Sequence, residues 1–145
     1  MNSTHPYLRQ ILGTKYNWIE ERVHNSAIQS GYGHLSPALT RLFGHMRQKP
    51  VSISDLSRKL SISRQAVHKL LIEAKDLGYV DFIDDVSDKR LKLVIFTDKG
   101  LIMSKSAIHD LKAIEKELCQ TLGEEDFNHL KRILTKKWNT HEDNK

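Results

Sequence analysis

The feature that most constrains the fold is a change of hydrophobic period at Gly78. Before this glycine, residues 64–77 carry an apolar stripe at helical spacing, made of Val67, Leu70, Leu71, Ala74 and Leu77. After it, Tyr79–Ile83 and Leu91–Phe96 are rich in branched and aromatic residues, which favours two strands. The polar residues 84–90 between them predict a hairpin loop. The sequence therefore predicts a helix that stops at a glycine and leads directly into a β-hairpin.

A second, shorter helix is predicted just before this one. Ser52–Asp55 is similar to a capping box and opens a helix whose core residues are Leu56 and Leu60. The polar turn of residues 61–63 follows, and its last hydroxyl can cap the next helix. Helix, tight turn, helix and hairpin is the order of a winged helix-turn-helix domain.

Helices are predicted on both sides of this unit. Residues 6–28 carry a helical stripe, and Ser36–Pro37 begins a short helix that we expect to run through Met46. Thr97 caps a longer helix, whose buried side is expected to comprise Leu101, Ile108, Leu111, Ile114, Leu118 and Leu122. A last helix begins after Gly123, with a stripe of Phe127, Leu130, Leu134 and Trp138. We expect a mainly α fold with a small β-hairpin wing.

The polar side of the central helix carries groups that can recognise DNA. These side chains are Arg64, Gln65, His68 and Lys69. Gln can form two hydrogen bonds with adenine, and Arg or Lys can do the same with guanine. Such a helix, about 22 Å long, fits a major groove that is about 12 Å wide. The hydroxyls of Ser61 and Ser63 are expected to lie near phosphates.

The hairpin loop carries a second candidate contact, Asp88-Lys89-Arg90. An arginine at a hairpin tip suits the negative potential of a minor groove, and Asp88 is expected to orient it through a charge-assisted hydrogen bond. Lys89 and Lys92 add general phosphate attraction or solubility. Residues 36–100 hold 12 Lys and Arg against 8 Asp and Glu, so the positive excess of the chain is concentrated in the winged unit.

Residues 88–100 resemble the wing signature of the MarR family of bacterial transcription regulators. That signature is Asp-x-Arg, an apolar strand, and Thr-x-x-Gly at the start of a helix. Residues 55–60 and 63–67 are similar to the family's helix-turn-helix, and Leu77–Val80 matches its junction. The resemblance covers most of the chain. It implies an obligate homodimer on a pseudo-palindromic site, with Arg90 as the wing arginine and Asp88 as its partner.

On this basis we predict an N-terminal dimerisation helix (1–33), a winged helix-turn-helix domain (34–100) and C-terminal dimerisation helices (101–145). The expected function is that of a sequence-specific DNA-binding regulator, a repressor, whose partners are double-stranded DNA and a second copy of the chain. A small-molecule effector is expected to act between arm and winged domain. The candidate pocket residues are Tyr16, Trp18, Tyr32 and Phe43, which core packing and the dimer interface explain as well.

A second hypothesis comes from apolar residues where the family often has basic ones. Phe82, Ile83 and Ile95 leave apolar side chains on both faces of the hairpin. The chain is then a winged-helix protein-interaction module, with weak or non-specific DNA binding.

Other classes of function find little support. No glycine-rich phosphate loop or nucleophile signature is present, so we expect neither an enzyme nor a cofactor. The histidines form no ligand pair at i, i+4, and Cys119 is interpreted as a packed small side chain rather than a redox sensor. No apolar run reaches the roughly 20 residues of a membrane helix, and the N-terminus lacks the features of a signal peptide. The expectation is a soluble cytoplasmic protein.

Overall fold

A computed structural model of the chain describes residues 6–139. Over this range the elements are α1 (Leu8–Gln29), α2 (Pro37–Gly44), β1 (Val51–Ser52), α3 (Ile53–Leu60), α4 (Arg64–Asp76), β2 (Val80–Asp84), β3 (Lys92–Phe96), α5 (Asp98–Leu122) and α6 (Glu124–Leu134). The mainly helical fold with a small β-wing is confirmed. The outermost parts of the predicted terminal arms, residues 1–5 and 140–145, lie outside the described residues.

Short polar side chains set the starts of four helices. The hydroxyls of Ser36, Ser52 and Ser63 accept hydrogen bonds from the backbone N–H three residues ahead, at 3.0–3.1 Å, and Thr97 does the same for α5. Each hydroxyl satisfies an N–H that has no partner inside its helix. The local sequence therefore determines where α2, α3, α4 and α5 begin.

The helix ends depart more from the predictions. α2 ends at Gly44 rather than continuing through Met46, although Met46 is buried. α6 ends at Leu134, so Trp138 lies beyond the helix on which its stripe placed it. The predicted domain boundary at residue 100 falls in the first turn of α5, so one continuous helix joins the winged unit to the C-terminal arm.

The wing is a three-stranded antiparallel sheet in the order β1-β3-β2. The sequence predicted β2 and β3 but missed β1, because a two-residue strand has no periodicity and forms by pairing Val51 with Val94 and Ser52 with Leu93. Phe82 pairs with Val94 on the face turned to the helices, and Ile83 pairs with Leu93 on the opposite face. Tyr79, predicted as the first residue of the strand, is buried just before it.

The core lies inside the winged unit. Its fully buried side chains come from α2, α3, α4, β2 and β3, and they are Leu39, Leu42, Leu56, Val67, Leu71, Val80 and Val94. The apolar sides of five short elements therefore close on one another within a single chain, which packs α4 against the strands of the wing.

Two glycines make the junction between α4, the wing and α5. Gly78 has φ +86°, a left-handed conformation that ends α4. Gly100 packs closely on the turn that follows α4. A Cβ at Gly100 would lie 2.0 Å from the Tyr79 carbonyl oxygen in that turn. Thr97 completes the junction, since its hydroxyl donates to the Gly78 carbonyl at 2.6 Å. The Leu-Gly-Tyr-Val and Thr-x-x-Gly segments are therefore two sides of one contact.

The long helices form a second region with a different character. α1 packs along α5, where Arg22 pairs with Glu117 at 2.6 Å, and α6 folds back on α5 through Lys131 and Glu115 at 3.1 Å. Within residues 6–139, neither α1 nor α6 has a buried residue. The predicted buried side of α5 is wrong for Ile108, Leu111 and Leu122, which stay 42–48% exposed because the described chain covers them only in part.

Across residues 6–139, the helices are too short or too polar to cross a bilayer.

Candidate nucleic-acid interface and adjoining cavity

Helix α4 separates its side chains cleanly into a buried and an exposed side. Val67, Leu71 and Ala74 are fully enclosed by the core. The exposed side holds the residues that the sequence placed there, Ser63, Arg64, Gln65, His68 and Lys69. Together with Ala66 and Ile72, all of these but Arg64 line a shallow surface depression. Four hydrogen-bonding side chains thus stand side by side on a rigidly held helix.

Ile72 is a member of this surface that sequence reasoning missed. It lies one turn beyond His68 and is 41% exposed, although the residue type is usually buried. The signal was present in the sequence, because position 72 falls outside the apolar stripe of α4. An isoleucine on a polar helix face offers apolar contact, such as that made with the methyl group of thymine.

The turn between α3 and α4 is stabilised by a hydrogen bond from a side chain of α3. Ser61 adopts a left-handed conformation with φ +54°, and the Ser57 hydroxyl donates to the Ile62 carbonyl at 2.5 Å. Ser63 uses its oxygen to cap α4, so its O–H remains able to donate. Ser61 and Ser63 are both exposed and lie at the N-terminus of α4. The backbone N–H groups there make the electrostatic potential positive.

At the wing tip, Asp88 holds Arg90. The carboxylate accepts hydrogen bonds from the Arg90 Nε at 3.1 Å, the terminal guanidinium nitrogen at 3.3 Å and the Arg90 backbone N–H at 3.0 Å. These bonds to the Arg90 side chain and backbone lower the pKa of Asp88. The predicted contact is present. The Arg90 side chain is nevertheless 90% exposed, so it is oriented without being covered.

The other charged residues of the wing differ in their availability. Lys92 forms an ion pair with Asp84 on the neighbouring strand, and Lys89 is exposed in the loop. Asp85 accepts hydrogen bonds from the backbone N–H and hydroxyl of Ser87, which lower its pKa. The loop that presents Arg90 is therefore shaped by two aspartates.

Helix α4 and the wing also touch through aromatic rings. The rings of His68 and Phe82 are stacked, with centroids 6.3 Å apart and an angle of 29° between their planes. Two turns along α4, Lys75 lies 5.5 Å from the Phe82 centroid and 3.4 Å from the Asp81 carboxylate. Phe82, which the sequence suggested as an exposed apolar residue of the wing, is partly buried against the core.

A cavity of about 330 Å³ lies between α1, α2 and α5. Three of the four predicted pocket residues line it: Tyr16, Tyr32 and Phe43. The prediction is wrong for Trp18, which is not among the lining residues. The face of α1 that meets the cavity carries Tyr16, Ile19, Val23 and Ala27, and Trp18 lies to one side, beneath the guanidinium of Arg22 at 4.9 Å.

The cavity is mostly apolar with charges at its edge. Arg41 faces Glu20 at 3.8 Å, and Arg47 and His45 come from the segment after α2. Partial burial, followed by the nearby charges of Lys59 and Arg47, lowers the pKa of His45, which favours its neutral form. Phe43 connects the cavity to the wing, because its ring lies 5.9 Å from both Tyr79 and Phe96.

Among residues 6–139, no group of three or more His, Cys, Asp or Glu side chains is placed to hold a metal ion. Cys119 is half-buried on α5.

Comparison with known proteins agrees with this architecture. A model of the MarR family matches residues 35–91, which extend from the start of α2 to the wing loop. The HTH-type transcriptional regulator TcaR of Staphylococcus aureus (strain Newman) is 27% identical over 110 residues, which are 74% of this chain and 72% of TcaR. Residues 35–91, which form most of the winged unit, are therefore similar to the MarR family of transcription regulators.

Solved structures show the same fold over almost the whole length of this chain. FabT of Streptococcus pneumoniae in complex with DNA superposes with a TM-score of 0.78 at 19% identity, over 95% of this chain and 97% of FabT. The S. aureus MepR–DNA complex gives a TM-score of 0.73 at 16% identity, over 90% and 96% of the two chains. The helical arms, and not only the winged domain, therefore belong to the shared architecture.

Proposed function

We propose that this chain is a transcription regulator of the MarR family, a homodimeric repressor that binds a pseudo-palindromic DNA site in a sequence-specific manner. The observation that carries the proposal is the exposed polar side of α4, presented by a helix whose opposite side is locked into the core. The structures of FabT and MepR with DNA support it, because both have the fold of this chain.

In this proposal α4 enters the major groove. Arg64, Gln65 and Lys69 supply the hydrogen bonds that distinguish bases, and His68 lies among them. Ser61 and Ser63 meet phosphates at the start of the helix, which fixes the register of the protein on the duplex.

The wing is proposed to bring Arg90 into the neighbouring minor groove, where negative potential attracts a guanidinium. Lys89 adds phosphate attraction, whereas Lys92 first has to leave Asp84.

The dimer is proposed from the uncovered apolar side chains of the long helices. Exposed apolar residues recur along α1, α5 and α6, and they are Leu8, Ile11, Ile102, Ile108, Leu111, Leu122, Leu130, Ile133 and Leu134. A monomer rarely leaves so much apolar surface in water, so a second copy of the chain is the expected cover. The arms would then hold two α4 helices about 34 Å apart, the spacing of successive major grooves.

A small-molecule effector is proposed for the cavity between α1, α2 and α5. Its volume of about 330 Å³ and apolar lining suit a small, largely apolar ligand. A ligand there that favoured a different angle between arm and winged domain would shift the population away from the DNA-binding spacing. Thr40, Arg41 and Asp110 supply polar groups at its rim.

DNA binding is tested by a mobility-shift assay with the DNA upstream of the protein's own gene and with sites selected from random sequence. Arg90→Ala should weaken binding to every site and reduce its salt dependence, because a cation is lost from the backbone or groove. Gln65→Ala should change the preference at one base pair by about 1–3 kcal/mol. Lys116→Ala, an exposed cation on α5, is the control for loss of charge.

A folded dimer that gives no retarded complex at low salt would contradict the proposed function. Equal, sequence-independent losses from Arg90→Ala and Gln65→Ala would contradict the separate roles of wing and helix. The dimer is measured by sedimentation, and repression by a reporter gene placed behind the selected site. Ligands of the cavity are sought by thermal shift, with Ala107→Phe as a variant that fills it.

The alternative, a winged-helix protein-interaction module, rests on the outer face of the sheet. Ile83, Leu93 and Ile95 are only half-buried there. Phe82 no longer supports this alternative, because it lies on the inner face. DNA affinity that is weak for every sequence and nearly independent of salt would favour the interaction module.

A further inference from the structure

His68 is the one residue of the exposed side of α4 whose ring is engaged by the wing. Its stacking partner Phe82 belongs to β2, so the contact joins the helix that carries the base-reading residues to the strand that carries the hairpin. The two rings are offset and inclined at 29°, within the range of favourable aromatic pairs, so turning the imidazole toward a base edge would cost this contact. Among residues 6–139, no ring contact of this kind is formed by Gln65 or Lys69, which sets His68 apart from them.

A second residue of α4 also contacts Phe82. Lys75 lies seven residues after His68, on the same side of the helix, and reaches both the Phe82 ring and the Asp81 carboxylate. The two α4 residues thus hold Phe82 from positions two helical turns apart. Because Phe82 pairs with Val94 in the sheet, whatever fixes the Phe82 ring also fixes the angle between α4 and both long strands of the wing.

We propose that His68 is a positioning residue: its ring packs on Phe82 and, together with the core, holds the wing at its angle to the recognition helix, and it does not select a base. The inference rests on the proposed function, since that angle matters for DNA only if α4 and the wing tip bind adjacent grooves. In this proposal Arg64, Gln65, Lys69 and Ile72 determine which bases are preferred. His68 determines how α4 and the wing are oriented relative to each other.

The test uses two substitutions that separate ring from polarity. His68→Phe keeps a flat ring and removes the hydrogen-bonding groups, whereas His68→Gln keeps hydrogen-bonding groups and removes the ring. Affinity is measured by fluorescence anisotropy for the selected site and for each single base-pair variant of it. We expect His68→Phe to retain both affinity and base preference. His68→Gln should lose about threefold to tenfold in affinity for every site, the range of one aromatic pair.

Phe82→Leu provides the matched change on the other side of the contact. It should cause a uniform loss at least as large as that of His68→Gln, and the double variant should be no weaker than Phe82→Leu alone, because Phe82→Leu removes the His68 contact together with that of Lys75. Overall folding is checked by thermal unfolding of each variant. The proposal is overturned if His68→Phe changes preference at one base pair, if His68→Gln binds like the original protein, or if the two losses add.

The free protein supplies a readout that does not depend on DNA. Amide ¹⁵N relaxation should show greater wing motion, over residues 84–91, in His68→Gln and Phe82→Leu but not in His68→Phe. If the original protein binds no DNA, the proposed function fails while relaxation still decides the positioning role. Unchanged wing relaxation in His68→Gln would overturn that role, whatever the DNA experiments give.

Discussion

The winged unit and the helical arms differ in how much of their apolar surface one chain can bury. In the winged unit, Leu39, Leu42 and Leu56 are fully enclosed. In the described part of the arms, α1 and α6 have no enclosed residue, and apolar side chains such as Leu130 stay more than two-fifths exposed. In both regions apolar residues recur at helical spacing. The difference teaches that periodicity predicts which side of a helix is apolar, but not whether the covering surface belongs to the same chain.

This contrast assigns different tasks to the two regions. The closed core gives α4 and the wing a fixed relation inside each chain, since interiors pack densely and resist deformation. Between the described arm helices the contacts are ion pairs such as Arg22–Glu117 and mostly partly buried side chains, with Ile114 of α5 as a buried one. The geometry of one DNA-reading unit is therefore set by one chain, whereas the spacing of two units is proposed to be set by two chains together.

The largest expected effect comes from removing a core side chain. Leu56→Ala should lower the free energy of unfolding by about 2–5 kcal/mol, because the enclosed site loses apolar contacts and keeps a cavity. Since the core is complete within one chain, this loss should be the same at every protein concentration. The measurement is chemical denaturation followed by circular dichroism, at two concentrations a hundredfold apart.

The matched substitution in the arm is Leu130→Ala. It removes the same atoms from a side chain that is already 42% exposed in one chain, so its effect should grow as the protein is concentrated enough to dimerise. A concentration-independent loss of the same size as that of Leu56→Ala would show that the arms are as self-contained as the core.

The next effect is expected at the glycine where the two regions meet. In Gly100→Ala the new methyl group would lie 2.0 Å from the Tyr79 carbonyl oxygen, which is itself held by the Thr97 N–H at 3.0 Å. Neither neighbour can move without breaking the junction, so a loss of about 1–3 kcal/mol in the free energy of unfolding is expected. Thermal and chemical unfolding measure it.

Gly44→Ala is the control for the glycine substitution. Gly44 ends α2 and has open space where its Cβ would lie, so the change should be neutral or stabilise by up to about 1 kcal/mol. If Gly100→Ala were equally harmless, α5 would be free to slide against the junction and the arm would not be rigidly tied to the winged unit.

The sequence predicted those parts of the molecule that depend on neighbours along the chain. The caps at Ser36, Ser52, Ser63 and Thr97 involve atoms three residues away, and they define the helix starts correctly. The Asp88–Arg90 contact spans two residues and was predicted for the same reason. These hydrogen bonds join residues within short sequence motifs. The motifs therefore predict the winged unit from the sequence.

The sequence does not predict contacts between residues that are far apart in the chain. β1 exists because Val51 and Ser52 pair with distant residues of β3, and Phe82 is partly buried because the core and the α4 residues His68 and Lys75 pack against it. Trp18 was placed in the pocket because aromatic residues suit pockets, but a shift of two positions along α1 turns it toward Arg22 instead. Composition and spacing suggested these residues, whereas the fold decided their partners.

The smallest expected effect concerns the wing tip, an exposed part of the winged unit that is nevertheless ordered by its own chain. Hydrogen bonds from Arg90 lower the pKa of Asp88 below its ordinary value of 3.8. The contact therefore contributes fully above that value and is lost only as the pH falls through the lowered pKa. A carboxyl ¹³C titration should give a midpoint below 3.8, and Arg90→Ala should raise it, although the Arg90 backbone N–H bond remains. A midpoint unaffected by Arg90→Ala would mean that the guanidinium is not held in solution, and the wing tip would then resemble the arms in needing a partner, here the DNA, to become ordered.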